Sequence, residues 1–516
     1  METAETAEKD IVPALPDAEG HIESAHGAEK AEKCDNCKNA ASGYPDFKIS
    51  GCFTSHMVIQ RSVPAAVYGF SSHPGMNVTG SWLGETAETR VGTDGRFRLT
   101  FSAHEADPVP SRMIISSPYG SYILSDILVG DVWLVGGQSN AELSLAACLF
   151  TTPELENEIS GDDNFRLFRQ SQAGAFEFRD NCASPYEDII KPEWRWKRPD
   201  RDASMPFSAM GYYFAKELTR HIDVPLGLIM VGPGGACLRE LMPEKLAIDR
   251  GYTVGANMPV GGYYNTLLSP FEGFAFYGQI FFLGESEGIW KEMAYKYADD
   301  LAAMIIDERE RFGVDFPFYN VQLSSYREEG KTFFPFLHVV RTEQLRALTL
   351  IPDSHLAVDR DLGADPDYPD WPHSPHKAEL GRRLAMQVWA YEYGGKANMP
   401  DAAEYESPLP VSVRPGQEPG TFEVRFINTG SGLKTCGGGE PKGFGILAKG
   451  EEEPSPACAK ITGPDTVLVT AREEKLSGAG AEAVTFALFH IAGRAEADLE
   501  NSFGLPAPAF KLGIEA

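Results

Sequence analysis

Between about Lys48 and Ser125, short runs of β-branched and aromatic residues alternate with turn signals such as Ser71-Ser72-His73-Pro74-Gly75 and Thr93-Asp94-Gly95. This predicts an antiparallel β domain, a sandwich over residues 46–125. The rhythm then changes. Apolar runs end in small residues: Val132-Trp133-Leu134-Val135 at Gly136-Gly137, Leu226 to Val231 at Gly232-Pro233-Gly234-Gly235, Ile280 to Leu283 at Gly284, and Phe318 to Leu323 at Ser324. Helical stripes lie between and after them, with Met210, Phe214 and Leu218, then Trp290, Met293, Tyr297, Leu301 and Ile305, and finally Leu380, Leu384, Val388 and Tyr391, stopping at Gly394-Gly395. Strands buried on both faces and alternating with amphipathic helices predict a parallel sheet, hence an α/β domain over 126–403. Ligands then bind beyond the carboxyl ends of the strands, where these glycines fall. Strand patterns return in Phe422 to Phe426 and Thr466 to Thr470, so a second β domain is expected over 404–516.

The length of 516 residues suits about three domains. Residues 1–45 are rich in Ala, Glu, Lys and Gly and have few large apolar side chains, which predicts an acidic tail without a core. Acidic residues outnumber basic ones, 74 against 46, for a formal charge of -28. That field repels phosphate backbones and anionic lipid, so neither nucleic acid nor a membrane is expected as a partner. No apolar stretch is long enough to span a bilayer, and the N-terminus has neither the basic nor the apolar part of a secretory signal, from which a cytoplasmic location is expected. Eight cysteines are too sparse for a disulfide scaffold, and Cys34-Asp35-Asn36-Cys37 lacks a second ligand pair, so no metal and no cofactor is expected.

Two motifs carry chemistry. In Gly136-Gly137-Gln138-Ser139-Asn140 a serine stands where a buried strand breaks into a turn, but Ala141 departs from the GxSxG elbow of ordinary α/β-hydrolases. In Asp370-Trp371-Pro372-His373 a carboxylate three residues ahead of an imidazole can hold its tautomer, although Asp365, Asp367 and His376 are equally eligible on composition. Gly234-Gly235 offers backbone amides at a strand end, suited to an oxyanion or simply to a tight turn.

Taken in order, Gly130-Asp131-Val132-Trp133 with Gly137-Gln138-Ser139-Asn140, Pro225 to Ala236, Tyr264 to Pro270, Gly284-Glu285-Ser286, and His373-Ser374-Pro375-His376-Lys377 resemble the sialate O-acetylesterase family of SGNH-type hydrolases. Met57 to Arg61 and Gly504-Leu505-Pro506 extend the likeness toward both ends. The resemblance implies a flavodoxin-like three-layer SGNH domain flanked by β-sandwich-like domains, and removal of O-acetyl groups from sugars. It implies Ser139 as nucleophile, His373 as base and Asp370 as its orienting carboxylate. The amides of Ser139 and of Gly234 or Gly235 become the oxyanion hole, and Gln138, Asn140, Arg239, Asn265 and Glu285 the substrate contacts. Two positions depart from the family's Gln-Gly-Glu-Ser-Asn block, Leu283 and Glu287: the first cannot donate a hydrogen bond, and the second, if ionised, repels an oxyanion. Arg239 is expected to pair with Glu240 or Glu244, or else to meet a substrate carboxylate. An acetylxylan- or acetylmannan-type esterase and a glycan-binding protein without turnover are the alternatives.

Overall fold

The computed structural model describes residues 43–157, 159, 161, 163–325, 333–363, 372–473, 476, 480–488 and 497–515. Residues 1–42 of the expected tail, with Cys34 and Cys37, and Asp365, Asp367 and Asp370 lie outside the described residues.

The central sheet is built from β1 (Gly120–Gly137), β2 (Phe165–Arg169), β3 (Leu226–Val231), β4 (Gly278–Phe282), β5 (Phe318–Gln322) and β6 (Ser354–Val358), in the spatial order β2-β3-β1-β4-β5-β6 with every neighbouring pair parallel. The helices that matter for the site are α1 (Ser139–Glu142), α2 (Ala209–Leu218), α3 (Lys291–Phe312), α4 (Leu337–Ala347) and α5 (Lys377–Glu392). The predicted stripes fall on α2, α3 and α5, and their apolar members Met210, Phe214, Leu218, Tyr297, Leu301, Leu380 and Leu384 are fully buried. After α5 the chain turns at Gly394, whose φ of 74° is the left-handed conformation that ends helices.

β2, α4 and β6 had no signal in the pattern. Phe165-Arg166-Leu167-Phe168-Arg169 carries two arginines within a strand, yet Arg166 is buried, 3.4 Å from Asp126. That distant carboxylate, with the Asp163 and Phe165 carbonyls that also accept from the guanidinium, makes the burial tolerable.

β1 is unusually long, and the boundary expected between residues 125 and 126 falls inside it. Its first half pairs antiparallel with Asp107–Ser117, while its second half enters the parallel sheet, so the sheet is mixed rather than wholly parallel. Val58–Gln60 joins β1 in parallel. A buried polar knot locks this junction. Asp131 accepts from Gln60 Nε2 (2.8 Å), Arg61 Nε (2.9 Å) and the Tyr393 hydroxyl (2.7 Å), and the Val132 amide donates to Gln60 Oε1 (2.8 Å).

The C-terminal strands form a separate seven-stranded antiparallel sheet over its own apolar core, including Val424, Val467, Ile446 and Phe510. It docks on the carboxyl end of β5 and the segment after β6. Gln322 exchanges hydrogen bonds with the Ala509 backbone in both directions (3.0 and 2.7 Å), and the buried Arg360 guanidinium donates to the Ala507 carbonyl at 3.2 Å. Among the described residues, no helix is long and apolar enough to cross a membrane.

Replacing Asp131 with Ala leaves Arg61, Gln60 and Tyr393 without their common acceptor. Chemical denaturation should show a loss of ~3–5 kcal/mol, the range for breaking a buried ion pair; a loss no larger than that of an exposed Asp→Ala control would refute the knot's role.

Candidate active site

Three strand-end loops meet beside β1. Ser139 is the first residue of α1 and is half-buried. It is placed there by Gly137, whose φ of 133° and close approach to the Phe282 carbonyl, 2.1 Å from a Cβ built at that position, exclude any side chain. A Cβ built on Gly234 would stand 3.6 Å from the Ser139 Cβ, so the loop after β3 lies against the serine. From the loop after β4, the buried Glu285 carboxylate accepts from Gln138 Nε2 (2.5 Å) and from Asn140 Nδ2. This is the point where the sheet order reverses on either side of β1, the usual place for a ligand crevice.

The histidine segment is fastened to the same spot. Asn140 Nδ2 also donates to the carbonyl of Pro372, the residue before His373, at 3.1 Å. Asn140 Oδ1 accepts from Lys377 Nζ at 2.8 Å. Lys377 is completely buried, with its ammonium 4.6 Å from the Phe282 ring centroid and 3.9 Å from Asp359, whose carboxylate also accepts from Ser324 Oγ. The chain Lys377–Asn140–Glu285–Gln138 therefore links segments far apart in sequence into one buried network. Burial, and then the Lys377 ammonium, push the His373 imidazole down to about 4, so it is neutral and able to accept a proton near pH 7. Burial raises Glu285 to about 7 against the opposing hydrogen bond from Asn140.

The two candidate oxyanion glycines are not equivalent. The Gly234 amide donates to Glu142 Oε2 at 2.9 Å, which corrects the expectation that it is available to an oxyanion. Gln172 Nε2 donates to the Gly234 carbonyl, and because the peptide is planar and trans this orients the Gly235 amide the opposite way. The Gly235 carbonyl is held by Asn257 Nδ2 (2.6 Å) and Ser286 Oγ (3.1 Å), and its φ of 71° suits glycine. The Ser139 amide stands ahead of the first helical turn, where the helix itself supplies no acceptor.

Several expected substrate contacts face the protein instead. Asn140 is fully buried, with its amide and carbonyl engaged as above, and Gln138 and Glu285 are buried partners of each other. Asn265 is buried as well, its Nδ2 donating to the Cys182 carbonyl at 2.7 Å. Arg239 makes no ion pair among the described residues. Glu240 is occupied by the amides of Cys237, Ala256, Asn257 and Met258, and the Arg239 guanidinium lies over the rings of Trp290 (5.3 Å) and Tyr252 (5.9 Å).

Glu287 is buried and accepts from the Leu238 amide at 2.7 Å; burial pushes it up to about 8 despite that bond and the nearby Arg239. It is therefore mostly protonated at neutral pH, and the repulsion expected from an ionised carboxylate is relieved. Leu283 is completely buried, as its apolar side chain requires.

Glu142, Gln172 and Lys377 had no sequence signal as site residues. Each is a polar residue on a short helix or at a helix start, where solvated side chains are the rule, and only their partners from distant segments mark them.

A family model described as carbohydrate esterase, sialic acid-specific acetylesterase, matches residues 129–390. Sialate O-acetylesterase of Homo sapiens is 25% identical over 315 residues, covering 56% of this chain and 57% of that protein. The Mus musculus sialate O-acetylesterase is 23% identical over 432 residues, covering 71% and 76%. The chain thus spans little more than half the length of the human relative. In structure it is similar to a carbohydrate acetylesterase from Xanthomonas citri, with a TM-score of 0.75 and 26% identity over 90% of this chain and 99% of that one. The matched segment runs from within β1 through α5 and contains every loop just described, and the chain belongs to the sialic acid-specific acetylesterase family of carbohydrate esterases.

Proposed function

We propose that this protein is a serine esterase that removes O-acetyl groups from sugars, with an O-acetylated sialate as its substrate. The observation that carries this reading is the hydrogen bond from Asn140, next to Ser139, to the carbonyl beside His373, which brings the two motifs to one place. In the proposed mechanism, Ser139 Oγ attacks the acetyl carbonyl, neutral His373 takes its proton and returns it to the departing sugar oxygen, and Asp370 orients the imidazole. The amides of Ser139 and Gly235 receive the oxyanion, with Gln172 fixing the plane of the Gly234–Gly235 peptide. Water then releases acetate. The parallel sheet order supports reading the catalytic region as an SGNH-type three-layer unit.

Substrate class is argued from charge. A sialate carboxylate approaches a chain of formal charge -28, so it needs a local cation. Arg239 supplies one: it is partly buried against two aromatic rings, and its Nε has no hydrogen-bond partner among the described residues. The family description and the relatives' names support the same substrate.

Acetate release from O-acetylated sialic acid should fall by ~10⁴-fold or more in Ser139→Ala and in His373→Ala. Activity that survives His373→Ala and disappears in His376→Ala would reassign the base. If Arg239 binds the carboxylate, Arg239→Ala raises KM for O-acetyl sialate and leaves that for acetylated xylo-oligosaccharide unchanged. An equal effect on both, or faster turnover of the xylo-oligosaccharide by the parent protein, would exclude sialate specificity.

Because Gln172 acts on the orientation of an amide, Gln172→Ala is expected to lower kcat by ~10- to 100-fold with little change in KM. The pH profile offers a further check. Burial and the Lys377 charge lower the His373 pKa and the Asp370 carboxylate of the proposed mechanism opposes them, so the acid limb of kcat/KM should move to lower pH in Asp370→Asn. An acid limb unmoved by that substitution would contradict the pairing of Asp370 with this imidazole.

A further inference from the structure

At the amino end of the edge strand β6, away from the strand carboxyl ends that carry Ser139, and where α5 ends, Asp353, His355 and Glu392 converge. One ligand atom from each lies within 4.8 Å of the others. His355 Nε2 is shielded from solvent, makes no hydrogen bond among the described residues, and stands 3.7 Å from the Asp353 carboxylate. We propose that these three side chains form a zinc-binding site.

The groups behind them are arranged as a metal site requires. His355 Nδ1 faces the Glu406 carboxylate at 3.7 Å, the position from which a carboxylate closing to hydrogen-bond distance would leave Nε2 for the metal. Glu406 is held in turn by Gln387 Nε2 at 3.1 Å. The Glu392 carboxylate is oriented by two phenols, Tyr319 (2.7 Å) and Tyr277 (3.3 Å), each of which leaves an oxygen lone pair for a cation. The His355 ring is clamped between Tyr319, 4.7 Å away and nearly parallel, and Tyr391 at 4.0 Å. Both nitrogen-bearing and carboxylate ligands are thus preset, whereas the Asp353 side chain is 57% exposed and can swing inward.

One imidazole with two carboxylates suits Zn²⁺, while Mg²⁺ and Ca²⁺ favour all-oxygen sets. The ligand atoms would close to roughly 3.3 Å apart around tetrahedral zinc with bonds of about 2.0 Å. Such an ion would pin the start of β6 to the end of α5, remote from the acyl-transfer site.

The test is titration of the full chain, stripped with EDTA and carrying Cys34→Ser and Cys37→Ser so that those thiols do not compete, with zinc chloride in a calorimeter. One Zn²⁺ per chain is expected, with X-ray absorption showing imidazole and oxygen ligands and no sulfur. Asp353→Asn, on an exposed side chain that the fold does not need, should weaken binding by ~10- to 100-fold, and His355→Gln should abolish it. The absence of stoichiometric zinc binding, or an affinity unchanged in Asp353→Asn, would overturn the site.

Discussion

An ammonium group buried out of reach of water is tolerated only where acceptors surround it, and Lys377 imposes that condition on the whole catalytic region. Its Nζ donates to Asn140, Asn140 donates to Glu285 and to the carbonyl before His373, and Glu285 binds Gln138. The start of α5, the turn after β1 and the loop after β4 must therefore meet in one register. A shift in any of them strands a buried charge or amide. The proposed nucleophile and base are carried on the two segments that this network joins.

The same rule governs the periphery of the site. Glu142 lies beside Ser139 but is turned to the Gly234 amide, and Glu240 gathers the Cys237 amide ahead of its own helix and three backbone amides, of residues 256–258, from a loop that has no regular structure of its own. Buried carboxylates here act as fixed acceptors that hold glycine-rich backbone in shape. Glycine gives these loops the conformations that close approach demands, and the carboxylates remove the freedom that glycine would otherwise leave. Gly235 is the clearest case, with neighbouring peptide planes restrained by Gln172 on one side and by Asn257 and Ser286 on the other.

The flanking strands contribute at a distance. The knot around Asp131 ties Val58–Gln60 to the middle of β1, and Tyr393, just past α5, closes it from the far end of the histidine helix. On the opposite side, the C-terminal sheet grips Gln322 and Arg360. Arg360 follows Asp359, the carboxylate nearest Lys377 apart from the Asn140–Glu285 chain, so docking of that sheet and placement of the network share one stretch of backbone.

The sequence by itself determined the alternation of buried strands and amphipathic helices, the strand ends at which Ser139 and Gly234-Gly235 stand, and the family blocks, because burial periodicity and glycine turns are local properties. It did not reveal β2, whose arginines interrupt the apolar run, nor the continuity of β1 across an apparent domain boundary, because both depend on which distant residues satisfy polar groups. For the same reason it did not show that Asn140, Asn265 and Glu285 are engaged inside the protein: an amide or carboxylate in a motif looks the same whether its partner is a substrate or a buried lysine. Tertiary structure alone decided that Gly234 has its amide occupied, that Glu287 is neutral, and that Arg239 lies on aromatic rings rather than on a carboxylate. Each of those outcomes is set by desolvation and by partners remote in sequence, which no local pattern encodes.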